Sequence, residues 1–178
     1  STPVLAKKLI EGIIYEGGRV IDIGQSSTPM FYFGVSYLSA DGGIMVTASH
    51  NGPIYNGFKI VGENAEPIGI DSGLAEIKKI TQNIGEEKKW DKKIITKKVS
   101  YIKNGKILDA YVNFLLKNTS FINKPPHQNF WCGGKNIKLV IDAGNGMAGI
   151  VLEKIFKKLN PAPFVGRRDF TQSAADKR

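Results

Sequence analysis

The chain reads as an α/β protein with a mixed, largely parallel sheet flanked by helices, followed by an incomplete second α/β domain. Three observations carry that reading. As far as Val61, short apolar runs of strand length alternate with segments whose apolar residues recur at helical spacing. The joints between them are short and rich in Gly, Ser, Asp and Pro. A further strand–turn–helix pattern runs from Ile137 to Leu159. Strand, helix, strand with short joints is a βαβ unit, which implies parallel strands and a right-handed crossover.

The elements follow in order. Ser1 or Thr2 can cap a first helix, with Pro3 in its first turn. Leu5, Leu9, Ile10, Ile13 and Ile14 form its apolar stripe, and Gly17-Gly18 stop it. Arg19 to Ile23 is a buried strand. Thr28-Pro29 opens a second helix bearing Phe31, Val35 and Leu38. Gly43 to Thr47 is the next strand, and Phe58 to Val61 returns beside it. Asp71 can cap a helix with Leu74, Ile77, Ile80 and Ile84 on one face. Glu86 to Lys98 lacks periodicity apart from a short apolar pair, Ile94-Ile95, of strand type. Lys106 to Leu116 is helical, with Ile107, Leu108, Tyr111, Val112 and Leu115 on one stripe. Pro125-Pro126 and Gly133-Gly134 mark Asn118 to Lys135 as linker. Ile137 to Ile141 is a last strand, and a helix runs from about Met147 to Leu159.

These boundaries give a first α/β domain at 1–124, a linker at 125–135 and the start of a second domain at 136–178. The last piece has 43 residues, and pieces of about 40 residues seldom bury enough surface to stand alone. After about residue 160 the chain is polar and loses its pattern. No apolar run of membrane-spanning length occurs, so no membrane partner is expected. A single cysteine, Cys132, excludes an intrachain disulfide and makes a cytoplasmic setting the default. The net charge of +9 favours anionic ligands, sugar phosphates and nucleic acids alike.

The densest concentration of chemistry is Thr47-Ala48-Ser49-His50-Asn51-Gly52-Pro53-Ile54-Tyr55-Asn56-Gly57-Phe58-Lys59. Small residues, asparagines and Gly-Pro favour a tight exposed turn that gathers backbone amides and short polar side chains. The loop leaves its strand at the carboxyl end, where ligands collect in open α/β sheets. Ser49 is the candidate phosphoryl carrier, since phosphoryl transfer asks mainly for positioning and charge neutralisation. His50 and Lys59 are candidates for moving protons, and Lys59 lies ten positions beyond Ser49, enough for the loop to return the lysine. A serine hydrolase fits poorly: adjacent residues in an extended loop point apart, so His50 is not expected to serve Ser49 as base. The other histidine, His127, lies in the linker, and no Gly-x-Ser-x-Gly elbow occurs.

The thirteen-residue stretch closely resembles the phosphoserine loop of the α-D-phosphohexomutases, the family containing phosphomannomutase and phosphoglucomutase. Gly52 stands where the family usually has a first proline, which should loosen the turn. Asp22-Ile23-Gly24, Thr28-Pro29-Met30 and Val140 to Gly146 are similar to the family as well, and the likeness ends after Pro161. The resemblance implies the family's first domain and a hexose phosphate substrate, of mannose or glucose. It implies Ser49, His50 and Lys59 as catalytic residues and Thr47, Asn51 and Asn56 as substrate-binding residues. Phosphorylated Ser49 would pass its phosphoryl group through a hexose 1,6-bisphosphate. A Mg2+ ion would be held through the Ser49 phosphate, with its other ligands elsewhere in the family pattern, and glucose 1,6-bisphosphate would act as activator. The family's Asp-Gly-Asp-Gly-Asp-Arg metal loop, sugar-selecting loop and phosphate clamp are not found here. The chain by itself is therefore expected to show no mutase turnover.

Two other readings stay open. Gly144-Asn145-Gly146-Met147-Ala148-Gly149 has the form of a dinucleotide-binding turn, with Asp169 twenty positions beyond the last glycine. Lys88-Lys89, Lys92-Lys93 and Lys97-Lys98 would suit a basic phosphate- or nucleic-acid-binding module, although Trp90 and Tyr101 give thin aromatic interleaving. A solvated face is the plainer account of that run, so no nucleic acid is expected as partner. The oligomeric state is not legible.

Overall fold

The computed structural model describes residues 2–52, 54–84, 99–101, 104–118, 140–144 and 146–158. They fall into two compact units, one drawn from Ser1–Gly24 and Thr28–Lys103, the other from Gln25–Ser27 and Asn104–Arg178.

The first unit opens with helix α1 (Thr2–Tyr15), which buries Glu11 and Ile14. Gly17 and Gly18 close it by donating to the carbonyls of Ile14 and Ile13, as the glycine pair predicts. Strand β1 (Val20–Asp22) follows, then helix α2 (Thr28–Tyr37) with Met30, Phe31, Gly34 and Val35 buried. Strands β2 (Gly43–Val46) and β3 (Phe58–Val61) form an antiparallel pair with Met45 opposite Lys59. The core here is Phe31, Val35 and Val61, with Tyr32, Ala40, Met45 and Ala65 packed around it. Gly43 lets α2 lie close: a Cβ there would stand 2.6 Å from Val35 Cγ2 and 2.7 Å from Phe31 Cε2.

The fold is mixed α/β, as predicted, but the expected parallel pairing of β1 with β2 is not formed. β1 pairs in parallel with β4 (Val99–Tyr101), and β2 takes β3 as its antiparallel neighbour. β4 falls just past the aperiodic stretch Glu86 to Lys98 and was not expected from the sequence; its parallel partner is β1. The pair Ile94-Ile95 lies outside the described residues. Asp71 does not cap helix α3 (Leu74–Asn83): it sits in a 3-10 turn, Ile70–Ser72, and Gly73 occupies the cap position. No residue of α3 is buried, and Ile77, Ile80 and the following Ile84 stay exposed.

The second unit contains α4 (Asn104–Asn118) and α5 (Ala148–Lys158). Ile107, Leu108, Tyr111 and Val112 of α4 and Val151 of α5 are buried. Lys154 Nζ meets Asp109 Oδ1 at 2.9 Å, and Lys158 Nζ donates to Asn113 Oδ1 at 2.6 Å, tying the two helices. Of the expected strand Ile137 to Ile141, residues 137–139 lie outside the described residues; Val140 and Ile141 are not in regular structure, Val140 being 94% exposed. Both units share one local device. The carboxylate of Asp22 accepts from Gly24 N–H, and that of Asp142 from Gly144 N–H, each at 2.8 Å. Gly24 and Gly144 have φ of 72° and 56°, values glycine adopts at little cost. No helix among the described residues is long and apolar enough to cross a membrane.

Candidate functional site

The β2–β3 hairpin fixes both ends of the loop that starts at Thr47. Thr47 N–H donates to the Gly57 carbonyl at 2.9 Å, one rung beyond Val46 opposite Phe58. Two tight turns fold the chain between those ends. Asn51 N–H donates to Ala48 C=O at 3.1 Å, and Tyr55 N–H to Gly52 C=O at 3.0 Å. Ser49 therefore sits at the first central position of a turn, with a left-handed φ of 56°. A residue with a Cβ pays about 1–2 kcal/mol for that region. The opposing interaction is close by: Ser49 N–H donates to Thr47 Oγ1 at 3.0 Å.

That backbone turn decides where the serine hydroxyl points. Ser49 Oγ lies 3.3 Å from His50 Nδ1, against the expectation that neighbours in the loop point apart. The expectation assumed extended backbone; a left-handed residue rotates its side chain toward the next one. With Nδ1 unprotonated the imidazole accepts the hydroxyl proton, and with Nδ1–H it donates to the serine oxygen. Among the described residues no carboxylate bonds His50, so a Ser-His-carboxylate triad is not assembled. Both side chains are exposed.

A depression of about 170 Å³ is lined by Thr47, Ala48, Ser49, Asn51, Asn56, Gly57, Phe58 and Lys59. Five of the six residues singled out from the sequence thus share one concavity. His50 is the exception, standing outside the lining and joined to it through Ser49. Lys59, partly buried on β3, returns a cation to the rim. Asn56 accepts a hydrogen bond from Thr2 Oγ1 at 3.3 Å, so the first turn of α1 is tied to the loop. Sequence reading missed Thr2, taken as a helix cap, and Ala48, Gly57 and Phe58. No local pattern announces a contact spanning 54 positions.

The described residues do not build a metal centre. Among the described residues no three His, Cys, Asp or Glu side chains cluster. The stretch from Thr47 to Lys59 holds no carboxylate, the group Mg2+ sites usually contribute beside phosphate oxygens. Of the dinucleotide and nucleic-acid readings, residues 137–139, Asp169 and the lysine run between Lys88 and Lys98 lie outside the described residues.

Comparison with known proteins bears on the same stretch. Residues 1–88 match the family model for phosphoglucomutase/phosphomannomutase, alpha/beta/alpha domain I. This chain belongs to the α-D-phosphohexomutase family. It is 36% identical over 154 residues to a phosphomannomutase of Escherichia coli, covering 86% of this chain and 31% of that protein. It is 39% identical over 158 residues to a phosphomannomutase of Vibrio cholerae, covering 89% and 30% respectively. With phosphohexose mutases of Xanthomonas campestris it shares 36% identity over 169 residues, 93% of this chain and 33% of the relative. The chain spans about a third of the length of the curated relatives it matches. As a phosphohexomutase domain I, the first unit places the serine loop inside the matched region.

Proposed function

We propose that this chain presents the phosphoryl-carrying serine of a phosphohexomutase, an isomerase acting on hexose 1-phosphate and hexose 6-phosphate. The observation that supports it is Ser49: strained, exposed, within 3.3 Å of an imidazole nitrogen, and on the rim of a depression that also holds Lys59. Strain of that kind gathers where a site needs one geometry held.

In the forward half-reaction the P–O bond to phosphorylated Ser49 Oγ breaks and a P–O bond to a free hydroxyl of the hexose monophosphate forms. The hydroxyl proton leaves to His50 or Lys59, Ser49 Oγ takes up a proton as its phosphoryl group departs, and the sugar becomes a 1,6-bisphosphate. After the sugar turns over, its other phosphoryl group returns to Ser49 Oγ, which gives up its hydroxyl proton, and the sugar oxygen left behind takes the proton held by His50 or Lys59. Asn51 and Asn56 are suited to hold sugar hydroxyls or phosphate oxygens, and Lys59 to offset phosphate charge. A Mg2+ ion bound through the serine phosphate would neutralise charge in transfer. The described residues give it no carboxylate, so no step here is routed through it. Relatives named phosphomannomutase support mannose phosphates as substrates, and the family description, which also covers phosphoglucomutase, supports glucose phosphates beside them. A cytoplasmic setting belongs to the same proposal, in keeping with the single cysteine.

The test is intact-mass spectrometry of the 178-residue chain after incubation with glucose 1,6-bisphosphate. One added phosphoryl group on the unsubstituted chain, and none on Ser49→Ala, is the expected result, without net isomerisation of hexose monophosphate. No uptake at all, or uptake that persists in Ser49→Ala, overturns the proposal.

A further inference from the structure

Thr47 was expected to bind substrate, but its hydroxyl oxygen is already engaged. It accepts the Ser49 amide at 3.0 Å, and Ser49 itself has its φ in the left-handed region. Ser49 stands where a primed turn ordinarily takes glycine, and its side chain cannot be dispensed with if it carries a phosphoryl group. We propose that Thr47 is a positioning residue: its hydroxyl holds the Ser49 backbone in the left-handed form and so aims Oγ at His50 Nδ1 and the depression. The inference rests on the serine relay proposed above.

The geometry explains why a hydroxyl residue suits this place. Thr47 is the last hairpin residue fixed by a backbone rung, with its own N–H on Gly57 C=O at 2.9 Å. A side chain anchored to that rung is a rigid post, and the bond to Ser49 N–H transfers its rigidity to the first turn residue. The Asn51 N–H to Ala48 C=O bond closes the turn from the far side. Between those two bonds, only the Thr47 hydroxyl acts on the amide of the residue that bears the reactive oxygen. The hydroxyl hydrogen is not used in that bond, so Thr47 keeps a donor on the wall of the depression.

The experiment compares amide hydrogen exchange by NMR in the 178-residue chain and in Thr47→Val, Thr47→Ala and Thr47→Ser. Valine keeps the shape and removes the acceptor; serine restores it. Loss of the bond should speed exchange of the Ser49 amide by roughly fivefold in the valine and alanine variants, and serine should bring it back. The amide of residue 47, bonded to Gly57, is the internal control and should keep its protection. Phosphoryl uptake at Ser49 from glucose 1,6-bisphosphate should slow by roughly ten- to a hundredfold in the valine variant and recover in the serine variant. A Ser49 amide equally protected in all four chains overturns the inference, as does uptake that ignores the substitution. If the unsubstituted chain takes up no phosphate, the relay reading fails instead, and the amide comparison still decides whether Thr47 holds the turn.

Discussion

Ser49 and its immediate neighbours show how much a single dihedral angle can hide. The residue types of the loop were legible as a phosphate-handling set, and five of the six line one depression. The approach of Ser49 Oγ to His50 Nδ1 was not, because serine carries no sign in the sequence that its φ will be positive. Gly52 is the reverse case. It looked like a loosening departure from the family's proline, yet it has open space where a Cβ would stand and its φ is outside the left-handed region. Nothing in the folded loop requires glycine there. Gly52→Ala should therefore stabilise the chain by about 0.4–1 kcal/mol, through the lower entropy of its unfolded state. A rise in thermal midpoint checks this; an unchanged or lower midpoint refutes it.

At the scale of elements, the β2–β3 hairpin was readable almost to the residue, while its packing against α2 was not. β3 matched the apolar run Phe58 to Val61, and β2 ended one residue before the expected Thr47. The close approach of Phe31 and Val35 to Gly43 appears only in three dimensions. Gly43→Ala would drive a methyl into both side chains and should lower stability by about 1–3 kcal/mol. Urea unfolding measures it: a midpoint equal to that of the unsubstituted chain would show that α2 can retreat at no cost. β4 and α3 mark the limit of pattern reading. β4 escapes notice because three alternating residues are too few for a pattern to be called, and it is its partner that makes it a strand, Val20 facing Val99. α3 has an apolar spacing that nothing buries, since periodicity states which residues share a face and not what that face meets.

For the whole molecule, charge sets the response to acid. The net charge of +9 grows as carboxylates protonate, and self-repulsion rises with it. Asp109 adds a specific contribution. The hydrogen bond from Lys154 holds its carboxyl below the ordinary value of 3.8, with Lys154 and Lys158 charges acting the same way against desolvation. A depressed carboxylate stabilises above its unfolded value, and that stabilisation is lost as pH falls through the folded value. Denaturant midpoints followed from neutral pH to well below 3.8 should fall, and Asp109→Asn should fall less steeply. The difference is about 0.2–1 kcal/mol, because the pair is partly exposed. Parallel curves for the two chains would remove Asp109 from the account. The proposed boundary at 125–135 lies outside the described residues, so the second domain rests on sequence. The residue types of the serine loop, the family they belong to and the spans of most helices followed from order along the chain, because each depends on neighbours a few positions apart. Which strands pair, which apolar faces are covered, how Thr2 reaches Asn56 and where the Ser49 hydroxyl points were settled only by folding. Those outcomes depend on contacts between distant segments and on the sign of one φ, and neither is encoded in a local pattern.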